Sequence, residues 1–222
     1  MLFNHPLQLF TVAFPLLPQD ILRRSISLSE ERMPSENLLQ YHFFAVAHTL
    51  LPISCVLDPE VGQTRGYLDF FIHGENTNWA IEFVVSQSET DKNNILSHCA
   101  RFKEELKYAN IAASHQIVVN FCSVACVDIC WLQRETDVLI VHCVISPDYS
   151  SYELVFSGKP TEYLAKEIDV QRIKLQSGVP LTLSPTGEWI PFLLNQIPYY
   201  AKDMPQGIVK DRALLTGASY SQ

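Results

Sequence analysis

Two neighbouring stretches of the chain, residues 66–72 and 79–85, are apolar runs that each contain a single acid, Asp69 in the first and Glu82 in the second. Aromatic and β-branched residues dominate both runs and a polar segment separates them, which predicts two antiparallel strands joined by a turn. A tight turn over 73–78 places Asp69 directly opposite Glu82 on one face of this ribbon. The sequence therefore predicts two like charges that face each other across a pair of strands.

Helical periodicity flanks the ribbon on both sides. Apolar residues recur every three or four positions from Ser35 until Pro52 ends the pattern, and again over 91–108. The second of these helices carries His98 and Arg101 one turn apart, along the polar border of its apolar face. We therefore expect one helix before the ribbon and one after it, the latter with basic side chains near the two acids.

The apolar pattern also predicts a sheet that is larger than the ribbon. A short β-prone run at 53–57 precedes the ribbon and turns towards it. A buried strand at 114–122 follows the second helix, and a crossover helix makes it parallel to the strand before that helix. Two further strands are expected, at 138–145 and 152–156.

The chain divides into three parts by this pattern. Residues 1–34 are interpreted as a lead-in or the tail of an upstream segment, and residues 35–160 as the core. Residues 161–222 are expected to form a helix at 164–175 and then a wrap over the surface, because prolines punctuate this end of the chain.

Composition narrows the classes of protein that fit. With 222 residues, of which 47% are hydrophobic, the chain can bury one full core. No run is long and apolar enough to cross a bilayer, so we expect no membrane partner. The formal net charge of -8 gives no overall attraction to nucleic acid, so binding to a polyanion requires a local basic patch or a bound metal.

All six cysteines lie inside apolar segments, where free thiols behave as small hydrophobic side chains. Cys122, Cys126 and Cys130 recur every four residues, but no histidine or fourth cysteine follows at the spacing of zinc ligands. We therefore predict free thiols and an intracellular, reducing compartment.

The facing acids require a positive partner if their face of the ribbon is covered, as the neighbouring Phe71, Ala80 and Val84 indicate. Three partners are open: a proton on one carboxyl, an arginine or lysine from elsewhere, or a hard divalent cation such as Mg²⁺. Only the last of these makes the acids a metal-dependent enzyme site.

The predicted order of helix, three strands, helix and strand (αβββαβ) is the layout of the PD-(D/E)XK restriction-endonuclease-like core, an α/β fold whose mixed central sheet is flanked by helices. Its motifs here are Pro59-Glu60-Val61-Gly62, Gly66-Tyr67-Leu68-Asp69-Phe70, Trp79-Ala80-Ile81-Glu82-Phe83 and His98-Cys-Ala-Arg101-Phe102, followed by Lys107-Tyr108. In this order they resemble the restriction-endonuclease-like carboxyl-terminal domain of Crinkler-type effectors. The resemblance covers about residues 35–121.

The resemblance implies a nuclease that uses Mg²⁺ or Mn²⁺, acts on DNA rather than RNA and works in a host nucleus. Residue by residue, Asp69 and Glu82 match the motif acids, and Glu60 matches the acid upstream, which gives Asp69, Glu82 and Glu60 as metal ligands. The lysine of the general motif is replaced by Val84. Arg101 and His98 are expected to supply the missing positive charge and to complete the catalytic set with Asp69 and Glu82.

Two functions of different classes remain open. In the first, the chain is a metal-dependent phosphodiesterase that cuts DNA. In the second, the loss of the motif lysine marks a catalytically inactive module that binds nucleic acid or a host protein. The retained pair of acids favours the first function, whereas the negative net charge and Val84 favour the second.

Overall fold

The structure is a computed structural model that describes residues 6–24, 33–63, 66–74, 78–86, 92–103, 108, 111–123, 133, 136–157, 170–183 and 189–191. These residues form a seven-stranded mixed sheet with helices against both faces and a separate two-stranded hairpin. The helices are α1 (Pro6–Ala13), α2 (Gln19–Arg24), α3 (Glu36–Leu50) and α4 (Lys92–Ala100), with a 3₁₀ turn at Phe14–Leu16. The strands are β1 (Val56–Gln63), β2 (Gly66–His73), β3 (Asn78–Val85), β4 (His115–Cys122), β5 (Leu139–Ile145), β6 (Ser151–Ser157), β7 (Val170–Gln176), β8 (Leu181–Leu183) and β9 (Trp189–Pro191).

The seven strands lie in the sheet in chain order, from β1 at one edge to β7 at the other. β1, β2 and β3 are antiparallel to one another, β3, β4 and β5 are parallel, and β6 and β7 return to antiparallel pairing. The crossover through α4 gives the parallel pairing of β3 with β4, as the sequence predicted. The expectation of an α/β protein with a mixed sheet flanked by helices is confirmed.

Alternating side chains along the strands divide the core into two clusters. Ile81 and Phe83 of β3 pack in the larger cluster with Leu39 and Phe43 of α3. Ala80 and Val84, at the alternate positions of β3, point the other way and pack in the second cluster against α4. Because the side-chain period of a strand is two, this division places α3 and α4 on opposite faces of the sheet.

The amino-terminal helix α1 is part of the hydrophobic core. Phe10 and Phe14 are fully buried, and their rings stack 5.2 Å apart. Phe14 also contacts the rings of Phe43 on α3 and Phe121 on β4. The prolines that suggested an irregular lead-in are compatible with this packing, because Pro6 lies in the first turn of α1 and Pro15 lies in the 3₁₀ turn.

A long-range contact fastens the same segment to the hairpin. The Gly178 N–H donates to the Pro15 carbonyl at 2.7 Å. The Thr11 hydroxyl donates to the Leu181 carbonyl at 2.9 Å, a contact between residues that are 170 positions apart in the chain. The amino-terminal segment is therefore fixed by residues close to the other end of the described chain.

Two predicted elements are wrong in their bounds or type. The predicted strand at 53–57 followed by a turn is instead β1, which begins at Val56 and continues through Pro59. Proline is tolerated there because β1 is an edge strand. The segment 164–175 was predicted to be a helix. Its described part begins at Val170 and belongs to strand β7, because Ile173 and Leu175 are buried and alternate with exposed neighbours.

The second predicted helix, at 91–108, is shorter than expected. α4 ends at Ala100, and the next residues form tighter turns in which the Arg101 N–H donates to the His98 carbonyl and the Phe102 N–H to the Cys99 carbonyl. Residues 104–107 lie outside the described part of the chain. Ile95, Cys99 and Phe102 are buried, which confirms the predicted apolar face.

A polar pair lies inside the sheet, away from the two acids. Asn120 of β4 and His142 of β5 are partners in the parallel register, and Asn120 Nδ2 is 3.0 Å from His142 Nδ1. Asn120 is 1% exposed and His142 is fully buried. Burial lowers the pKa of His142 from its ordinary value of 6.5 to about 4, so this imidazole is neutral at physiological pH.

Cys99 and Cys143 are free thiols, as predicted, whereas Cys126 and Cys130 lie outside the described residues. Burial raises the pKa of Cys99 to about 12, so this thiol is protonated and unreactive. Within the described chain, no helix is both long enough and apolar enough to span a bilayer.

Candidate functional site

The two acids of the ribbon lie where the sheet is locally irregular. β2 pairs with β3 from Phe70–Ile81 to His73–Asn78, which is the register predicted from the sequence. Asp69 and Glu82 occupy the next position of this register, beyond the last paired residues. The acids are thus neighbours across the ribbon, but they lie outside its regular ladder.

Strand β2 loses its regular alternation at Asp69. Leu68 and Phe71 both pack in the cluster against α4, although residues three apart in a regular strand point to opposite faces. The partner strand is irregular at the same place, since Glu60 has a left-handed φ of 52° and does not pair with Asp69. The break frees Asp69 from the ladder, and its Oδ2 accepts a hydrogen bond of 2.6 Å from the Phe83 N–H of β3.

Asp69 lies in an environment that disfavours its negative charge. Burial raises the pKa of this carboxyl from 3.8 to about 7, and the charges of Glu82 and Glu36 act in the same direction. The hydrogen bonds from the Phe83 N–H and the Gln40 side chain oppose the increase without cancelling it. At neutral pH, Asp69 is therefore present in both its protonated and its ionised form.

Glu82 has the opposite environment, because donors surround its carboxylate. The side chain is 2% exposed, and its Oε1 accepts hydrogen bonds from the Arg101 guanidinium and from His98 Nδ1, the latter at 3.1 Å. Its Oε2 accepts a hydrogen bond of 2.7 Å from the Tyr108 hydroxyl. Of the three partners that the sequence left open, an arginine is the one beside Glu82.

The hydrogen bonds of His98 assign its tautomer. His98 Nε2 lies 3.3 Å from Arg101 Nη2, and a guanidinium can only donate, so Nε2 is an acceptor. The proton then lies on Nδ1, which donates to Glu82 Oε1. His98 therefore bridges Arg101 and Glu82.

Tyr108 fixes the position of Glu82 from the other side. This tyrosine is 1% exposed, and its hydroxyl lies 2.6 Å from the Tyr67 carbonyl as well as 2.7 Å from Glu82 Oε2. Its backbone N–H donates to the Arg101 carbonyl at 2.9 Å. Burial, followed by the charge of Glu82, raises the pKa of Tyr108, so the phenol stays protonated and acts as a donor.

The first turn of α3 brings a third carboxylate to the same place. Burial raises the pKa of Glu36, and the charge of Glu82 adds to the increase. Gln40 connects this acid to the ribbon, because its Nε2 lies 3.3 Å from Glu36 Oε1 and its side chain also hydrogen-bonds to Asp69. We call Glu36, Asp69 and Glu82 the carboxylate cluster.

The structure therefore brings together four of the five residues singled out in the sequence. Glu82, His98 and Arg101 are linked by hydrogen bonds, and Asp69 lies close enough to Glu82 for the two charges to interact, whereas Glu60 is exposed on β1. Val84, at the position of the motif lysine, is 1% exposed and packs in the cluster against α4. Among the described residues, no three His, Cys, Asp or Glu side chains form a ready metal site, and the set of Asp69, Glu82 and Glu60 stays a prediction.

Sequence reasoning missed Glu36 and the role of Gln40. Glu36 lies in the first turn of α3, where an acid is favoured by the helix dipole whether or not it has another role. A usable signal was present: Glu36 and Gln40 are four residues apart, beside the buried Leu39 and Phe43, so they share the border of the face that packs on the sheet.

Comparisons with protein-family models, with curated proteins and with solved structures found no match to this chain.

Proposed function

We propose that the chain has a PD-(D/E)XK restriction-endonuclease-like core and acts as a metal-dependent phosphodiesterase on DNA, as the nuclease-like domain of a Crinkler-type effector. The order α3, β1, β2, β3, α4, β4 and the change from antiparallel to parallel pairing at β3 support this proposal. DNA as the substrate and a host nucleus as the place of action follow from the resemblance of the motifs.

The observation that carries the proposal is the perturbed pKa of Asp69, beside two further acids. Burial of this carboxyl, together with the charges of Glu82 and Glu36, raises its pKa to about 7. Threonine or valine at the same position would avoid this unfavourable burial of charge. Acids that are held together at such a cost are typical of sites that perform chemistry.

The carboxylate cluster fits a magnesium ion by its chemistry. Mg²⁺ prefers hard oxygen ligands and is commonly bound by one or two carboxylates together with the phosphate of the substrate. Asp69 and Glu82 would hold the ion, which would activate water and stabilise the negative charge that develops on the phosphate. Glu60 stays a third ligand by resemblance only.

Two side chains at the end of α4 have roles that do not depend on the metal. The Arg101 side chain is 29% exposed, so its guanidinium can bind a phosphate of the substrate in a bidentate manner while remaining close to Glu82. His98 presents an imidazole that orients both residues. Arg101 thus supplies the positive charge that the motif lysine would supply at Val84.

A second function, a catalytically inactive module that binds nucleic acid or a host protein, is favoured by a different observation. Both oxygens of Glu82 already accept hydrogen bonds from side chains of the protein itself. Such a closed network also suits an acid that stabilises the fold. Val84 and the net charge of -8 point in the same direction.

Cleavage of a supercoiled plasmid separates the two functions. The parent chain is expected to nick the plasmid only in the presence of Mg²⁺ or Mn²⁺, and Asp69→Asn is expected to reduce the rate on the order of 10²-fold or more. Glu153→Gln is the matched control, because Glu153 pairs with Arg172 on β6 and β7, at the other edge of the sheet from β1. The control should retain the rate of the parent chain.

Two other outcomes are informative in the same experiment. A structured RNA in place of the plasmid tests the preference for DNA, and faster cleavage of RNA would correct the substrate. If the folded parent chain binds DNA but cleaves neither nucleic acid with either metal, the inactive module becomes the better account.

A further inference from the structure

Charge is unevenly distributed in the carboxylate cluster. Among the described side chains that contact Glu82, Arg101 is the one that carries a positive charge at every physiological pH. Arg101 contacts Glu82 and also hydrogen-bonds to His98 and Tyr108. At Asp69, by contrast, hydrogen bonds from the Phe83 N–H and Gln40 offset the burial of the carboxyl.

The two oxygens of Glu82 differ in what holds them. Oε2 accepts a hydrogen bond from the hydroxyl of the buried Tyr108, whose single proton is shared between Glu82 and the Tyr67 carbonyl. Oε1 is held by Arg101 and His98, and Arg101 lies in the turn after α4 with a partly exposed side chain. Arg101 can thus leave Oε1 towards solvent, whereas Tyr108 keeps the carboxylate of Glu82 in place.

We infer that Arg101 and a divalent cation compete for Oε1 of Glu82, and that the released guanidinium binds the phosphate of the ligand. This inference rests on the proposed metal-dependent function and adds a regulation to it. Arg101 holds Glu82 in the resting chain and prevents the uncompensated burial of its charge. The cation replaces Arg101 when it binds, so cation binding and phosphate binding become coupled through one side chain.

The inference predicts opposite effects of a single substitution. Arg101→Gln removes the competing charge, so Mn²⁺ is expected to bind on the order of 10-fold more tightly than it binds the parent chain. The same variant loses the guanidinium, so its affinity for inorganic phosphate, measured with Mn²⁺ present, is expected to fall on the order of 10-fold or more. A role of Arg101 in packing alone would not move the two affinities in opposite directions.

Calorimetric titration with Mn²⁺ alone, and then with phosphate, measures both affinities on the folded chain. Lys103→Gln is the matched control, because Lys103 is exposed two residues further on and carries the same charge. Its Mn²⁺ affinity is expected to stay within about 2-fold of the parent value, since exposed charges are well screened. Arg101→Lys retains the charge without the planar fork and is expected to fall between the parent chain and Arg101→Gln.

A second substitution locates the ion. Adding Asp69→Asn to Arg101→Gln is expected to abolish the gain in Mn²⁺ affinity, because the ion then loses one of its two carboxylates. Thermal unfolding of each variant confirms that the titrated protein is folded, and Arg101→Lys provides the test if Arg101→Gln does not fold.

Several results would overturn the inference. They are an unchanged or weaker Mn²⁺ affinity in Arg101→Gln, an equal gain in Lys103→Gln, and the absence of Mn²⁺ binding in all variants. Plasmid nicking by the parent chain with an unchanged Mn²⁺ affinity in Arg101→Gln would refute the competition and leave the proposed function standing. Tighter Mn²⁺ binding in Arg101→Gln without any nicking by the parent chain would support the competition and refute the enzyme.

Discussion

Asp69→Asn is expected to be more stable than the parent chain at about pH 8, by about 4 kcal/mol in the free energy of unfolding, and nearly equal to it at about pH 4. Burial and the charge of Glu82 raise the pKa of Asp69 from 3.8 to about 7. Between these two values the folded chain binds a proton that the unfolded chain has released, so the stability of the parent falls as the pH rises. Asparagine resembles the protonated carboxyl and does not ionise, so Asp69→Asn does not lose this stability as the pH rises.

Chemical denaturation at a series of pH values measures this difference. Asp58→Asn is the matched control, because Asp58 lies on the neighbouring strand β1 with 46% of its side chain exposed, and its effect should stay within about 1 kcal/mol at every pH. If Asp69→Asn is less stable than the parent chain even at high pH, the hydrogen bonds from the Phe83 N–H and Gln40 outweigh the unfavourable burial of charge.

His142 is expected to reduce the stability of the fold as the pH falls, which is opposite to the effect of Asp69. Burial lowers its pKa from 6.5 to about 4, so between these values the unfolded chain binds a proton that the folded chain excludes. As the pH falls from about 7 to about 4, the parent chain is expected to lose about 3 kcal/mol through this residue. His142→Gln, which does not titrate, should start less stable at neutral pH and lose none of this amount.

The measurement is the difference in unfolding free energy between the parent chain and His142→Gln at each pH. Burial also lowers the pKa of His42 and of His115, but both residues are present in the two proteins and cancel in the difference. His48→Gln, at an exposed position of α3, is the matched control. A difference that stays constant from neutral to acid pH would contradict the burial of a neutral His142.

Asp69 and His142 act against each other over the same range of pH. Acid stabilises the fold through Asp69 and destabilises it through His142, by amounts of similar size. The stability of the parent chain should therefore change less between about pH 4 and pH 7 than that of either single variant. A stability of the parent chain that stays constant with pH is therefore the expected result when the pKa values of both residues are shifted.

The strands and their register were predictable because they depend on short-range patterns. β2 and β3 are apolar runs with one polar turn between them, and the pairing of Phe70 with Ile81 follows from that turn. β7 was mistaken for a helix, since residues 164–175 as a whole suggest a helix and only the part from Val170 alternates. Local pattern was sufficient for the continuous apolar runs of β2 and β3, but not for β7, where the alternation covers only part of the predicted segment.

The arrangement around the acids was predictable only in part. His98 and Arg101 are one turn apart on α4, so their approach to Glu82 follows from helical geometry. The break at Asp69 depends on the left-handed conformation of Glu60 on another strand, and Glu36 arrives from a helix that is distant in the chain. No local pattern carries either fact, because both arise only when separate elements pack together.

The contact between α1 and the β8–β9 hairpin affects how the chain folds during synthesis. Thr11 meets Leu181 170 residues later, and ribosomes add about 5–20 residues per second, so roughly 10–30 s pass before the partner of α1 exists. During that time the apolar side of α1 that faces the hairpin lacks its cover. The emerging chain is then a natural client for chaperones that hold hydrophobic segments, and the last steps of folding wait until Leu181 and its neighbours have been synthesised.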